Sequence, residues 1–337
     1  MKKIFYIQIL TLIIGLVLII SFNFYIDPAR KFKNDFEEID INKNIVVTKN
    51  IDERILKKSL IEKKENIEIL ILGSSRVMGL GKDELNTKKE VFNAGVSGAN
   101  LKDIFALTYV ANQKGIKKII LGVDPWIFNK SEDKRYKSIE EEFINEYNLL
   151  FSKNLKIEKD KISKIKYLIK FSTFKDSLKI LKKGEVGKKA IFMSEEDNFE
   201  KYNIFLSEDA SLVYSNKFKK ENINDWKANI GYQMENFTSL DKERKELFET
   251  FVKYYKDKGT EIILFLPPYN PNYYKYTEKE IKNYYNVMED VKKYIIDFSK
   301  ENNIKLIGDY YIEELEEESF YDTMHLKRKE MKKFLEI

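Results

Sequence analysis

The sequence predicts an α/β protein: a three-layer α/β/α sandwich around a five-stranded parallel sheet. Three observations carry that expectation. Five short apolar runs have strand character, at residues 67–72, 91–94, 118–123, 261–266 and 304–307. The intervals between the first three are long enough for crossover helices, and residues 101–113, ending before Gly115, have the pattern of one. Four of the five prolines follow the third and fourth runs, Pro125 and then Pro267, Pro268 and Pro271, stiffening loops at one sheet edge. Strands alternating with helices form a parallel sheet, and its reactive side chains gather beyond the carboxyl ends of the strands.

Taken in order, Met1-Lys2-Lys3 leads into an uncharged run from Ile4 to Ile26, broken only by polar Gln8, Thr11, Ser21 and Asn23. About 20 helical residues cross the hydrocarbon core of a bilayer. No small-residue cleavage site is evident before Asp27. Residues 1–26 are therefore expected to be a retained signal anchor, a transmembrane helix that meets lipid through residues 4–26. Lys2 and Lys3 favour a cytoplasmic amino terminus. That makes the chain a single-pass protein of the cell membrane with an extracytoplasmic carboxyl-terminal domain, although Arg30, Lys31 and Lys33 beyond the run blur the asymmetry.

Residues 27–66 are polar and are expected to be a stalk with some helix, over 52–64. Residues 67–337 are expected to form one catalytic domain, interrupted by a largely helical insertion at 128–236. That insertion is rich in Lys, Glu, Asn and Phe, and its helical stretches are 139–151 and 162–181. Its lysine runs read as solvated helix faces. Long amphipathic helices over 239–258 and 277–303 are expected to flank the fourth strand, and 326–337 to close the chain as a short helix.

Composition removes several classes of function. Charged residues make up 34% of the 337, but their signs nearly cancel, leaving a formal net charge of +5. So small an excess, with no basic stripe of interleaved aromatics, is no nucleic-acid footprint. The chain has no cysteine, which rules out disulfides, cysteine zinc sites and a thiol nucleophile. A single histidine rules out a multi-histidine metal site. No metal and no cofactor are expected.

The chemistry centres on Gly73-Ser74-Ser75-Arg76, directly after the first strand. Gly73 permits a tight turn, and a serine beyond it sits where backbone N–H groups and the positive end of a following helix point. Ser75 is the candidate nucleophile; the alternative is that small residues merely fill a βα turn. A serine hydroxyl needs a neighbouring base, and imidazole is suited to that role. The only histidine, His325, lies in Tyr321-Asp322-Thr323-Met324-His325-Leu326 after the last strand. Asp322, three residues earlier, can reach the second ring nitrogen and fix the tautomer. Ser75, His325 and Asp322 are the expected catalytic residues.

These blocks, in this order, resemble the SGNH (GDSL-like) hydrolase superfamily, whose sheet is flavodoxin-like. Gly73-Ser74-Ser75-Arg76 corresponds to its first block, and Asn93-Ala94-Gly95 to the second. Asp322-Thr323-Met324-His325-Leu326 corresponds to the last. The resemblance implies an oxyanion hole from the backbone N–H groups of Ser75 and Gly95. One departure stands out: the third block normally supplies an asparagine amide, whereas Gly122-Val123-Asp124-Pro125 puts a carboxylate there. An ionised Asp124 repels an oxyanion, and one missing donor costs about 2.7–4 kcal/mol of transition-state stabilisation. Asn93 or Asn100 can supply the donor instead, while Asp124 can orient Arg76 or substrate, or cap the strand end.

Arg76 can hold an anionic group or pair with a nearby carboxylate. Trp126 and the cluster Tyr269, Tyr273 and Tyr274 can stack on sugar rings or serve ordinary packing. The anchor together with Gly-Ser-Ser also resembles membrane-anchored members of that superfamily, the DltD-like teichoic acid D-alanylation proteins and polysaccharide O-acetylation proteins. That resemblance implies transfer of acyl groups to or from cell-envelope polymer, beside a multi-span membrane O-acyltransferase. The leading expectation is a serine acyltransferase or esterase. The alternative is an envelope scaffold or polymer-binding protein that kept the fold and lost activity.

Overall fold

The computed structural model describes residues 2–28, 32, 39–41, 43–47, 51–131, 133–157, 163–184, 186, 191–193, 204–214, 234 and 236–334. From the amino terminus these form α1 (Lys2–Ile26), β1 (Ile45–Val47), α2 (Glu53–Lys63), β2 (Ile69–Leu72), β3 (Val91–Asn93) and α3 (Leu101–Ala111). Next come β4 (Lys118–Gly122), α4 (Glu140–Phe151), α5 (Ser163–Ile169), α6 (Phe171–Lys182), β5 (Ile191–Met193), β6 (Ile204–Leu206) and β7 (Leu212–Tyr214). The chain closes with α7 (Lys242–Asp257), β8 (Glu261–Leu266), α8 (Pro271–Glu280), α9 (Lys282–Glu301), β9 (Lys305–Gly308) and α10 (Arg328–Met331).

All five expected strands pair in one parallel sheet of order β3-β2-β4-β8-β9. Apolar residues follow one another through their centres because both faces are covered. Leu70, Leu72, Ile119, Leu121, Leu264 and Leu266 enter one core, while Ile69, Ile71, Ile120, Ile263 and Phe265 enter the other. The first core is closed by helices, with Leu56 of α2, Phe105 of α3, Phe248 and Phe251 of α7, and Ile295 of α9. The second is closed by turns and loops, through Val77, Leu80, Leu85, Leu315 and Phe320, and by Met331 of the short α10. Helical cover is thus full on one face and thin on the other.

The thin face has a local cause. No α-helix follows β2; residues 73–79 run as bends and turns. Gly73, Gly79 and Gly81 fall within nine residues, and glycine disfavours a helix. The buried Asn93 amide donates to the Val77 and Leu80 carbonyls at 2.8 and 2.7 Å, replacing the bonds a helix would make. Ser75 therefore does not stand at a helix amino terminus, contrary to the expectation from sequence.

A second sheet was not anticipated. It is antiparallel, four-stranded, and ordered β5-β1-β6-β7. β1 comes from the expected stalk and the other three from the insertion, which is accordingly less helical than expected. α2 also belongs to the expected stalk, yet it packs into the main core through Leu56, Leu60 and Ile61. Asp52 caps it, accepting the Arg54 N–H at 3.0 Å. Arg54 is fixed by a buried fork onto Asp103 of α3, at 2.6 and 2.8 Å. The segment 27–66 is thus built into the domain at 45–47 and 53–63 rather than standing off as a stalk.

Two expected long helices are broken: 162–181 divides at Lys170 into α5 and α6, and 277–303 divides at Ile281 into α8 and α9. Much of the insertion, including 194–203 and 215–233, lies outside the described residues. α1 is long and apolar enough to cross a membrane. Near its end Asn23 is buried, donating to the Leu168 carbonyl at 2.6 Å and accepting the Ser177 hydroxyl at 2.9 Å, so α5 and α6 hold its last turns.

Candidate active site

The order of the parallel sheet reverses direction at β2, flanked by β3 on one side and β4 on the other. Ligand sites in such sheets lie beyond the carboxyl ends at this switch point. Ser75 stands there. Gly73 has φ +139°, and a Cβ on it would come within 3.1 Å of the Gly122 carbonyl. Only glycine suits that position, so the chain can leave β2 close against β4.

His325 reaches the same place from the loop after β9. Its Nε2 lies 2.8 Å from Ser75 Oγ, and its Nδ1 lies 2.7 Å from Asp322 Oδ2 and 2.9 Å from Oδ1. Asp322 is set by its own loop: Oδ1 accepts the backbone N–H groups of Met324 and His325 at 2.9 and 2.7 Å. An aspartate bonding backbone two and three residues on is a common turn device. Here it orients the carboxylate towards the ring. Both side chains keep some solvent access, 21% for His325 and 13% for Asp322. The three residues singled out in the sequence are brought together, 250 positions apart at the widest.

Arg76 and Asp124 are paired with each other. Arg76 Nη1 lies 2.8 Å from Asp124 Oδ1, and both side chains are fully buried. Arg76 Nη2 donates to the Pro267 carbonyl, and the guanidinium lies 3.6 Å above the Tyr269 ring. Burial pushes the Asp124 carboxyl above its usual pKa, with Arg76 opposing. The loop after β8 continues this bracing: the Asn270 N–H donates to the Thr323 carbonyl at 3.0 Å, beside Asp322. One buried ion pair therefore ties the exits of β2, β4 and β8 together, next to the loop that carries the histidine.

The remaining expected donors are spent elsewhere. Gly95 N–H donates to Asn93 Oδ1 at 2.9 Å because that buried oxygen requires a donor. Asn93 Nδ2 serves Val77 and Leu80, as described, and Asn100 caps α3 while its amide donates to the Asp133 carbonyl at 2.9 Å. Gly95, Asn93 and Asn100 thus do not present donors to Ser75 in this conformation. The Ser75 N–H has no hydrogen-bond partner among the described residues and remains the available donor. Trp126 is buried, with its indole N–H on the Ala99 carbonyl at 3.0 Å. Tyr269, Tyr273 and Tyr274 are buried too, so these aromatics pack the core rather than offer a stacking surface.

Sequence reading missed the residues that join the small sheet to this site. β7 and the turn before it clasp the Ser75 turn: Leu212 N–H donates to the Met78 carbonyl at 2.7 Å, and Asp209 Oδ2 accepts the Lys82 N–H at 2.6 Å. Lys57 of α2, fully buried with its pKa lowered to about 8 by that burial, donates to the carbonyls of Asn93 and Ala210 at 2.7 and 2.6 Å. Tyr214 of β7 packs on Tyr321, the neighbour of Asp322, with ring centroids 4.4 Å apart. Between α2, the Ser75 turn and the small sheet lies a cavity of about 540 Å³, and Ser75 and His325 both line it. Among the described residues no cluster of His, Asp and Glu side chains forms a metal site. No protein-family model matches the chain, and no curated protein sequence matches it significantly.

Proposed function

We propose that the protein is a membrane-anchored serine acyltransferase or esterase of the SGNH type, acting outside the cytoplasm on acyl esters of the cell envelope. The observation that carries this is the continuous chain Ser75 Oγ–His325 Nε2–Nδ1–Asp322, with contacts of 2.8 and 2.7 Å. In this reading Ser75 Oγ attacks the ester carbonyl carbon while His325 Nε2 takes its proton. The carbon–oxygen bond to the leaving alkoxide then breaks, and Nε2 returns the proton to it, leaving an acyl-serine. A hydroxyl of the acceptor, polymer or water, gives its proton to Nε2 and attacks in turn, restoring Ser75. Asp322 holds the ring in the productive tautomer throughout. A multi-span membrane O-acyltransferase is the partner this reading implies for delivery of the acyl group.

A catalytically inactive scaffold of the same fold is the second reading, and one observation favours it: the Gly95 N–H is occupied by Asn93. Catalysis needs that bond to be exchanged for the oxyanion, or the Ser75 N–H to serve alone. Labelling with a fluorophosphonate probe separates the two readings. Wild type is expected to label, Ser75→Ala to lose labelling altogether because no Oγ remains to form the adduct, and His325→Ala to label more slowly by on the order of 10⁴-fold. Labelling that survives Ser75→Ala removes the nucleophile, and a wild type inert to the probe favours the scaffold.

A further inference from the structure

The cavity beside Ser75 has a wall chemistry that defines what it accepts. Its apolar lining comes from every element around it: Val47 of β1, Ile51, Leu56 of α2, Met78 of the nucleophile turn, Leu206 of β6 and Leu212 of β7. The charged groups on the wall are already engaged. Glu53 Oε1 and Oε2 accept the hydroxyl and the backbone N–H of Ser97 at 2.9 and 2.7 Å, and Lys57 Nζ is held by two carbonyls. Selection inside the cavity therefore falls to apolar contact. At about 540 Å³ it lies within the range of small-molecule pockets. With about 30 Å³ for a water-sized group, it has far more room than a two-carbon acetyl fills.

We infer that Ser75 takes up an apolar acyl chain longer than acetyl from an ester, and that the small antiparallel sheet forms one wall of its binding pocket. The inference rests on the reading of Ser75 as the nucleophile. The acyl–alkoxide bond breaks and the acyl–Oγ bond forms as described above, with the chain lying along β1, β6 and β7.

Alkyl fluorophosphonates with methyl, butyl and octyl chains test it on the full-length protein in detergent micelles, through the rate of Ser75 labelling. Apolar burial raises affinity by about fourfold per methylene, so labelling is expected to be at least tenfold faster for octyl than for methyl. Leu212→Trp and Ile51→Trp, which fill the cavity from different walls, are each expected to cut the octyl-to-methyl ratio about tenfold. Circular dichroism of each variant identifies any that fails to fold. Labelling independent of chain length, or a ratio unchanged in the folded variants, overturns the acyl pocket while leaving Ser75 as the nucleophile. Labelling that persists in Ser75→Ala, or none with any probe, overturns the nucleophile and the pocket with it.

Discussion

The two sheets divide the work of this molecule and are built on opposite principles. The parallel sheet is assembled from five strands of three to six residues with apolar side chains on both faces, and it delivers Ser75 and the loop of His325 to one edge. The antiparallel sheet is made of four three-residue strands gathered from positions 45 to 214, and it supplies walls rather than reacting groups. One is a scaffold packed on both faces. The other joins it through a shared core, by Ile45 and Leu206, and through the clasps of Lys57, Asp209 and the Leu212 N–H. The candidate triad thus stands on the larger sheet, and the smaller one shapes the cavity beside it.

The comparison predicts its largest stability effect at the parallel sheet's edge. Arg76→Met leaves Asp124 buried without its partner, and such a loss costs about 3–5 kcal/mol, measured by denaturant unfolding. The double change Arg76→Met with Asp124→Leu is expected to recover most of it, because an apolar pair replaces a buried ionic one. Were Arg76 reading an anionic substrate instead, stability would hold and KM would rise.

A smaller effect tests how the insertion docks on the parallel-sheet body. Glu146 of α4 is buried against Tyr255 of α7, whose hydroxyl donates to Oε1 at 2.6 Å. Burial raises its pKa from 4.5 to about 7. The folded state then holds more protons than the unfolded state between those values, so stability falls as pH rises from about 4.5 to about 7 and levels beyond. At 1.36 kcal/mol per unit this is about 3 kcal/mol, and the difference curve between wild type and Glu146→Gln is expected to show it. A curve without that slope would mean the carboxyl is not desolvated and α4 does not seat on α7.

The smallest effect addresses the joint between the sheets. Lys57→Met removes two charge-assisted bonds to the Asn93 and Ala210 carbonyls but also relieves the desolvation of a buried ammonium, for a net loss of about 2 kcal/mol. Amide exchange is expected to accelerate at Leu206 and Leu212 but not at Leu70 or Ile120. Equal acceleration in both sheets would show that they unfold as one unit and that the division drawn above is wrong.

Much of this was legible in the chain, and the reason is locality. The strands of the parallel sheet are continuous apolar runs, so periodicity alone finds them. Ser75 is marked by the glycine and serines after β2, and Asp322 and His325 are neighbours whose bond forms within one turn. The failures were non-local. A helix after β2 was expected because a βα turn usually has one, but an asparagine side chain from β3 satisfies those carbonyls instead. Gly95 and Asn100 were read from position in the sequence, whereas their partners, Asn93 and Asp133, decide what they can do. For Arg76, Asp124 and Trp126 the ion pair and ordinary packing, open alternatives in the sequence, are what the structure shows.

The sequence by itself determined the parallel sheet, the apolar amino-terminal helix and the residue types beyond the strand ends, because burial on both faces and local turn chemistry are written in adjacent residues. Tertiary structure alone decided that Arg76 and Asp124 brace the loops and that Asn93 takes the Gly95 N–H. It also decided that three-residue strands from a presumed stalk and a presumed helical insertion wall a cavity at the serine. Strands that short carry almost no periodic signal, and β1 finds its partners, β5 and β6, more than a hundred residues away.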